Sequence, residues 1–219
     1  MKSTVPCPAA VASLAVVLLT ACSSGSPATC GRDATPGTDA TAVLDASLDG
    51  PLADGAQCVS TVQQHPDEGA THVACTQAVT YRTNPPSSGN HYSCWAAYQT
   101  YSSPVPWGNL VHSLEHGAMI VVYNCPQGCA SDVAAMQSFI DGLPLDPNCG
   151  ASLMKNRIIL MPDPKLDVRF AATAWGWTLK ANCFDPTAFR QFFDDHYDHG
   201  REVICSDGWT GDGLCVSCG

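Results

Sequence analysis

The sequence predicts an α+β domain of two layers, with two main helices lying over a mixed β-sheet and disulfides stapling the whole. Three observations predict it. Short continuous runs of apolar, β-branched residues mark buried strands. Two stretches with apolar residues at helical spacing and recognisable end signals mark helices. Thirteen cysteines in 219 residues are a density that belongs to an exported protein, where disulfides persist.

Taken in order, His72 to Tyr81 alternates loosely and reads as a strand. Arg82 to Tyr92, RTNPPSSGNHY, follows; its two prolines and glycine force an extended and then turning backbone, so His91 sits on a stiff loop. The aromatics Tyr92, Trp95, Tyr98, Tyr101 and Trp107 stand among polar residues, as in a loop-rich layer packed on a core. Ala118 to Tyr123 is a central strand. Ser131 caps a helix that buries Val133, Met136 and Ile140 and ends at Gly142 and Pro144. Arg157 to Met161 is a second buried strand stopped by Pro162, and Val168 to Trp177 a third. Asp185-Pro186 opens the second helix as cap and first helical residue. Phe189, Phe192, Phe193, His196 and Tyr197 line one of its faces, and Gly200 closes it. No internal repeat interrupts this order.

The N-terminal residues bear on compartment. Lys2 is followed by an apolar stretch, Ala9 to Leu19, too short to span a bilayer. It closes with Leu19-Thr20-Ala21-Cys22, which resembles the lipobox of bacterial lipoproteins, whose cysteine receives lipid and becomes the new N-terminus. The plain alternative is an ordinary signal peptide cut near Ala21. The expected organisation is therefore a signal peptide at 1–21, a lipidated Cys22 with a flexible tether to 57, and one globular domain at 58–219. Small and polar residues in the tether cannot bury enough apolar surface to offset their ordering entropy. Localisation follows as the cell envelope, lipid-anchored, at the outer membrane or cell surface, with the membrane itself a partner through Cys22.

Formal net charge is −10, and loss of Lys2 with the signal peptide makes it −11. Such acidity argues against nucleic acid and against a basic membrane-docking face. With Cys7 removed and Cys22 lipidated, 11 of the 13 cysteines remain; an odd number leaves at least one unpaired, and Cys30 in the tether is the candidate. Cys215-Val-Ser-Cys218 is a single pair without a second at metal spacing, so it reads as disulfide partners.

The densest chemistry lies at His112-Ser-Leu-Glu115-His116. Residues four apart share a face on a helix, and even separations share one on a strand, so His112 and His116 are neighbours either way. Glu115 distinguishes the two readings: on a helix it lies beside His112, on a strand it points to the opposite side. The helix reading has Asn109 as cap and Gly117 as terminator. It matches the H-x-x-E-H of inverted zinc peptidases, with Glu115 as general base and Glu202, the one glutamate further along, as an acidic ligand. The third imidazole is His91. His91, His112 and His116 make a three-nitrogen set suited to Zn²⁺ or copper, with Glu115 orienting an imidazole or serving as fourth ligand. Alternatively the histidines are structural and bond to backbone and acidic groups. His196, on a Phe-rich face, reads as a core histidine, and His65, His72 and His199 carry no assignment.

Pro85-Pro-Ser-Ser-Gly-Asn-His91-Tyr92, Val111-His-Ser-Leu-Glu-His-Gly117 and Thr173-Ala-Trp-Gly176 together resemble a family of bacterial exported or anchored proteins known only as a domain of unknown function. Its pattern is a PPTSGxHY loop, a VHSLEHG segment entering a strand, a TAWG strand, and a closing helix followed by a glutamate. The likeness covers about residues 75–203. The positions that match its pattern are His91, His112, Glu115, His116, Trp175 and Glu202, and the resemblance supplies no activity. The chain departs from it in Ser87, where the family has threonine, and in its many cysteines.

The reading that results is a lipid-anchored envelope protein binding a transition metal, Zn²⁺ or copper, through His91, His112, His116 and Glu115, in a binding or homeostasis role. A metallohydrolase using Glu115 and a disulfide-stapled cell-surface interaction module with structural histidines are the alternatives.

Overall fold

The structure, a computed structural model, describes residues 57–150 and 155–210. The expectations for the signal peptide, Cys22, Cys30, Cys215, Cys218 and all but the last residue of the tether lie outside these. Along the chain come β1 (Ser60–Gln64), β2 (His72–Val73), β3 (His91–Tyr92), α1 (Trp107–Glu115), β4 (Met119–Tyr123), α2 (Ala130–Gly142), β5 (Ile158–Pro162), β6 (Phe170–Ala174), β7 (Trp177–Ala181) and α3 (Pro186–His196).

Five strands form one mixed sheet in the order β1-β7-β6-β4-β5. β4 and β5 run parallel, joined through α2 as a βαβ unit, and the other neighbours are antiparallel. The sequence MIVVY makes β4 central because both of its faces are covered. Met119 and Val121 join Ile158, Leu160, Phe170, Ala172 and Leu179 on one face, where Met136 of α2 and Phe189, Phe192 and Phe193 of α3 pack. Ile120 and Val122 join Ile159, Met161 and Ala171 on the other, where Leu110, Val111 and Leu114 of α1 pack. The α+β class, the mixed sheet and the disulfides are as the sequence predicts. α1 is a third helix, and it covers the second face, so the sheet lies between helices on both sides and the domain has three layers where two are expected.

Local signals account for most elements. Asp185 caps α3, accepting a hydrogen bond from the Thr187 amide at 2.9 Å, with Pro186 next. α2 begins at Ala130 and takes Cys129 as its N-cap, two residues ahead of the expected Ser131. The single strand expected at Val168 to Trp177 is a hairpin: Ala174 pairs with Trp177 across the turn at Trp175-Gly176, and β7 continues to Ala181. Of the strand expected at 72–81, the residues His72 and Val73 pair, in parallel with His91 and Tyr92. β1 is an edge strand with every residue exposed, so its sequence STVQQ carries no burial alternation to announce it.

Disulfides join Cys58 to Cys183, Cys125 to Cys129 and Cys149 to Cys205. Cys75 and Cys94 are disulfide-bonded as well. No described helix is long and apolar enough to cross a membrane.

Candidate metal centre

His112 to Glu115 is helical, with His116 as the C-cap, so Glu115 stands one turn from His112 on the same side of α1. The helix turns three apolar residues, Leu110, Val111 and Leu114, to the sheet. His112 and Glu115 thereby face the segment carrying β3. Asn109 is not the cap, since Pro106 precedes the helix; the Asn109 amide is buried and donates to the Cys94 carbonyl at 2.9 Å. After Glu115 the helix stops at His116, and Gly117 takes φ +86°, a left-handed exit that glycine adopts without a Cβ penalty.

That helix end is fixed from three directions. Asp198 and Glu202 donate their backbone N–H groups to the carbonyls of Gly117 and Glu115, at 3.0 and 2.9 Å. Gly200 between them lies against the Glu115 carbonyl and the Gly117 backbone too closely for any Cβ. Arg157, fully buried, donates to the His116 carbonyl while pairing with Asp146 at 2.8 Å and with Asp198. Burial raises the Asp146 carboxyl, but hydrogen bonds from the Tyr197 hydroxyl, the Asn148 amide and Arg157 outweigh it and hold it below the usual carboxylate range.

Three imidazoles meet the Glu115 carboxylate. His91 Nδ1 lies 2.8 Å from the Gly89 carbonyl, and its Nε2 lies 2.9 Å from Glu115 Oε2. His112 Nδ1 lies 2.7 Å from the Tyr92 carbonyl. His72, paired beside His91, places Nε2 3.8 Å from Glu115 Oε2. The three rings lie 4.6 to 4.9 Å apart, centre to centre. His72, His91, His112 and Glu115 each offer a ligand atom within 4.8 Å of the others. Tetrahedral ligands on a bond of about 2.1 Å sit roughly 3.4 Å apart, so small side-chain adjustments, outward for His91 and inward for the others, close the set.

The tautomers follow from the carbonyls. A carbonyl only accepts, so Nδ1 of His91 and of His112 carries the ring proton and leaves a lone pair on Nε2. This is the arrangement in which metal-ligating histidines are held by their outer partners. Burial favours the neutral rings: it lowers the pKa of His91 against the Gly89 carbonyl and the neighbouring Glu115 carboxylate, and takes that of His112 to about 3 against its bond to the Tyr92 carbonyl. Neutral His91 thus turns the lone pair of its buried Nε2 toward a Glu115 carboxylate oxygen 2.9 Å away. Two acceptors at that distance repel unless a proton or a metal cation lies between them, and burial of His91 disfavours the proton. The residues present fit a divalent metal.

Of the residues the sequence singled out, His91, His112 and Glu115 converge. His116 lies alongside, its ring 4.6 Å from that of His112 and 4.7 Å from that of Trp95, with Nε2 3.7 Å from Glu202 Oε2. Burial takes its pKa to about 4, and its Nδ1 is buried without a hydrogen-bond partner. Glu202 is half exposed and borders His116. Trp175 meets His91 edge-on at 6.5 Å. His72 was not signalled by the sequence, because its contribution comes from pairing with a strand 19 residues away. His196 stacks on Trp177 at 4.2 Å and packs against Phe192, as a core histidine does.

A family model described as "protein of unknown function (DUF3105)" matches residues 72–207, a span that includes all four converging residues. No curated protein and no solved structure matches the chain.

Proposed function

The chain belongs to the DUF3105 family, and from the centre built within the matched residues we propose that it binds one transition metal ion, Zn²⁺ or copper, through His72, His91, His112 and Glu115. The observation that carries this is the contact at His91: a neutral imidazole whose lone pair faces a carboxylate at 2.9 Å, with the ring proton committed to Gly89. Imidazole nitrogen with one carboxylate suits zinc and copper better than the hard cations. His116 flanks the set and shields it, with Glu202 beyond. The role we infer is metal binding or homeostasis in the cell envelope, on a chain anchored by lipid at Cys22. The disulfides fit an oxidising compartment.

Two alternatives are less well supported. A metallohydrolase needs Glu115 free to activate water and an open metal position, whereas Glu115 is buried within the ligand set and four protein ligands complete a tetrahedron. Glu202, the acidic ligand that reading requires, borders His116 instead. A purely structural role for the histidines requires a proton to be held in the short His91–Glu115 contact, which burial of His91 disfavours.

The test is metal content. The full chain is reconstituted with Zn²⁺ or Cu²⁺, freed of excess, and analysed beside the His91→Ala/His112→Ala variant. About one equivalent on the wild type and almost none on the variant is expected. Equal content in the two would defeat the proposal.

A further inference from the structure

The disulfide between Cys125 and Cys129 occupies a different position in the fold from the metal centre. It sits where β4 gives way to α2, within the parallel β4-α2-β5 unit. A cysteine pair at the turn of a βαβ unit is the setting of thioredoxin-like redox motifs, although here three residues separate the cysteines instead of two. We propose that Cys125 and Cys129 form a dithiol–disulfide exchange couple acting on cysteine thiols.

The local structure supplies each part. The linking turn, Pro126-Gln127-Gly128, is exposed, and the Gly128 amide closes it on the Cys125 carbonyl at 2.9 Å. Cys125 is half-buried, whereas Cys129 is buried in the core, so an incoming thiolate reaches the Cys125 sulfur first. Attack there forms a mixed disulfide with Cys125, breaks the bond to Cys129 and leaves the electron pair on the Cys129 sulfur. A second thiol of the partner, as thiolate, then attacks the mixed disulfide. The partner leaves oxidised, with both cysteines of this chain reduced and two electrons transferred.

Cys129 is placed to hold that charge. It is the N-cap of a 13-residue helix, a position favouring an oxygen acceptor, and no side chain fills the cap. A Cys129 thiolate would accept from the free amides of the first turn and lie at the positive end of the helix. The one acidic residue there, Asp132, is engaged by Arg169 at 3.0 Å. Opening this bond also sacrifices little structure. It closes a separation of four residues, against 56 for Cys149–Cys205 and 125 for Cys58–Cys183, and short loops remove the least unfolded-state entropy.

The experiment titrates the full wild-type chain with glutathione and, separately, with a peptide dithiol, alkylates free thiols and maps them by mass spectrometry. Cys125 and Cys129 are expected to open together, at least tenfold lower in reductant than Cys58, Cys183, Cys149 and Cys205. The peptide should emerge as its disulfide. If glutathione opens the pair and the peptide does not, the partner is a small thiol; the reverse identifies a protein dithiol. In addition, Cys129→Ser should trap a mixed disulfide on Cys125, whereas Cys125→Ser should trap none on Cys129. Opening no earlier than the other two disulfides overturns the proposal, and the wild-type measurement decides this even if the variants misfold.

Discussion

The guanidinium of Arg157 donates to the carbonyl oxygen of His116, the residue at which α1 ends. A cation at a helix C-terminus satisfies an orphan carbonyl and opposes the helix dipole. Here it also anchors the turn that carries Glu115. Because Asp146 shares this burial, Arg157→Ala leaves an uncompensated carboxylate and should cost about 3 to 5 kcal/mol. Urea denaturation of that variant beside Arg157→Met/Asp146→Leu checks the cause: the double variant should recover most of the loss. Equal losses in both would mean that packing, not charge, holds the turn.

Glu115→Gln should separate metal binding from folding. The amide can donate to the His91 lone pair that the carboxylate opposes, so the metal-free protein should melt at the same temperature or higher. Metal affinity should fall at least 100-fold, since the anionic ligand is gone, and the stabilisation by added Zn²⁺ should shrink with it. Calorimetric melting with and without metal measures both. A variant that melts lower without metal while keeping its metal-induced shift would contradict the assignment.

Acid should weaken the metal-free fold well before ordinary carboxylates titrate. Burial lowers His112 to about 3 and His116 to about 4, so the unfolded chain binds protons below about pH 6.5 that the folded chain refuses. The folded state is fully favoured above that value and loses ground as pH falls toward the folded values. Urea midpoints should therefore drop between pH 7 and pH 4. His112→Asn, whose amide can still donate to the Tyr92 carbonyl, should flatten part of the slope. A wild-type midpoint that is constant over that range would refute the burial argument.

Gly200→Ala tests the clamp on α1 from the outside. A Cβ there collides with the Glu115 carbonyl and the backbone of Gly117, so the variant should lose about 1 to 3 kcal/mol by overpacking and bind metal less tightly. Gly142→Ala is the control, because a Cβ at the end of α2 meets open space. It should be neutral or gain a few tenths of a kcal/mol. Equal stability and metal affinity in the two variants would remove the clamp.

Much of the centre was legible because its spacing is local. His112 and Glu115 sit one turn apart, and the His91 loop is stiffened by its own prolines, so three of the converging residues were found from the sequence. The fourth was not. His72 reaches the site through a strand of two residues whose pairing with β3 is parallel and distant, and no periodicity records such a contact. β1 carries no signal for a different reason, since all of its residues are exposed, while the strands buried on both faces declare themselves. The hairpin turn at Trp175-Gly176 is hard to tell from strand in the sequence because Ala, Thr and Trp on either side are equally at home in β structure.

The bond from Cys58 to Cys183 decides how the domain bears load. Any pull on the chain ahead of Cys58 passes through a covalent link into the segment just after β7 before it reaches β1. The exposed edge strand, five residues held by one neighbour, is spared from unzipping. Tension is delivered instead to the rim of the central sheet, beside the helix that packs beneath it. Force applied ahead of Cys58 is therefore borne by a covalent link, and the pairing of the first strand with β7 is left unloaded.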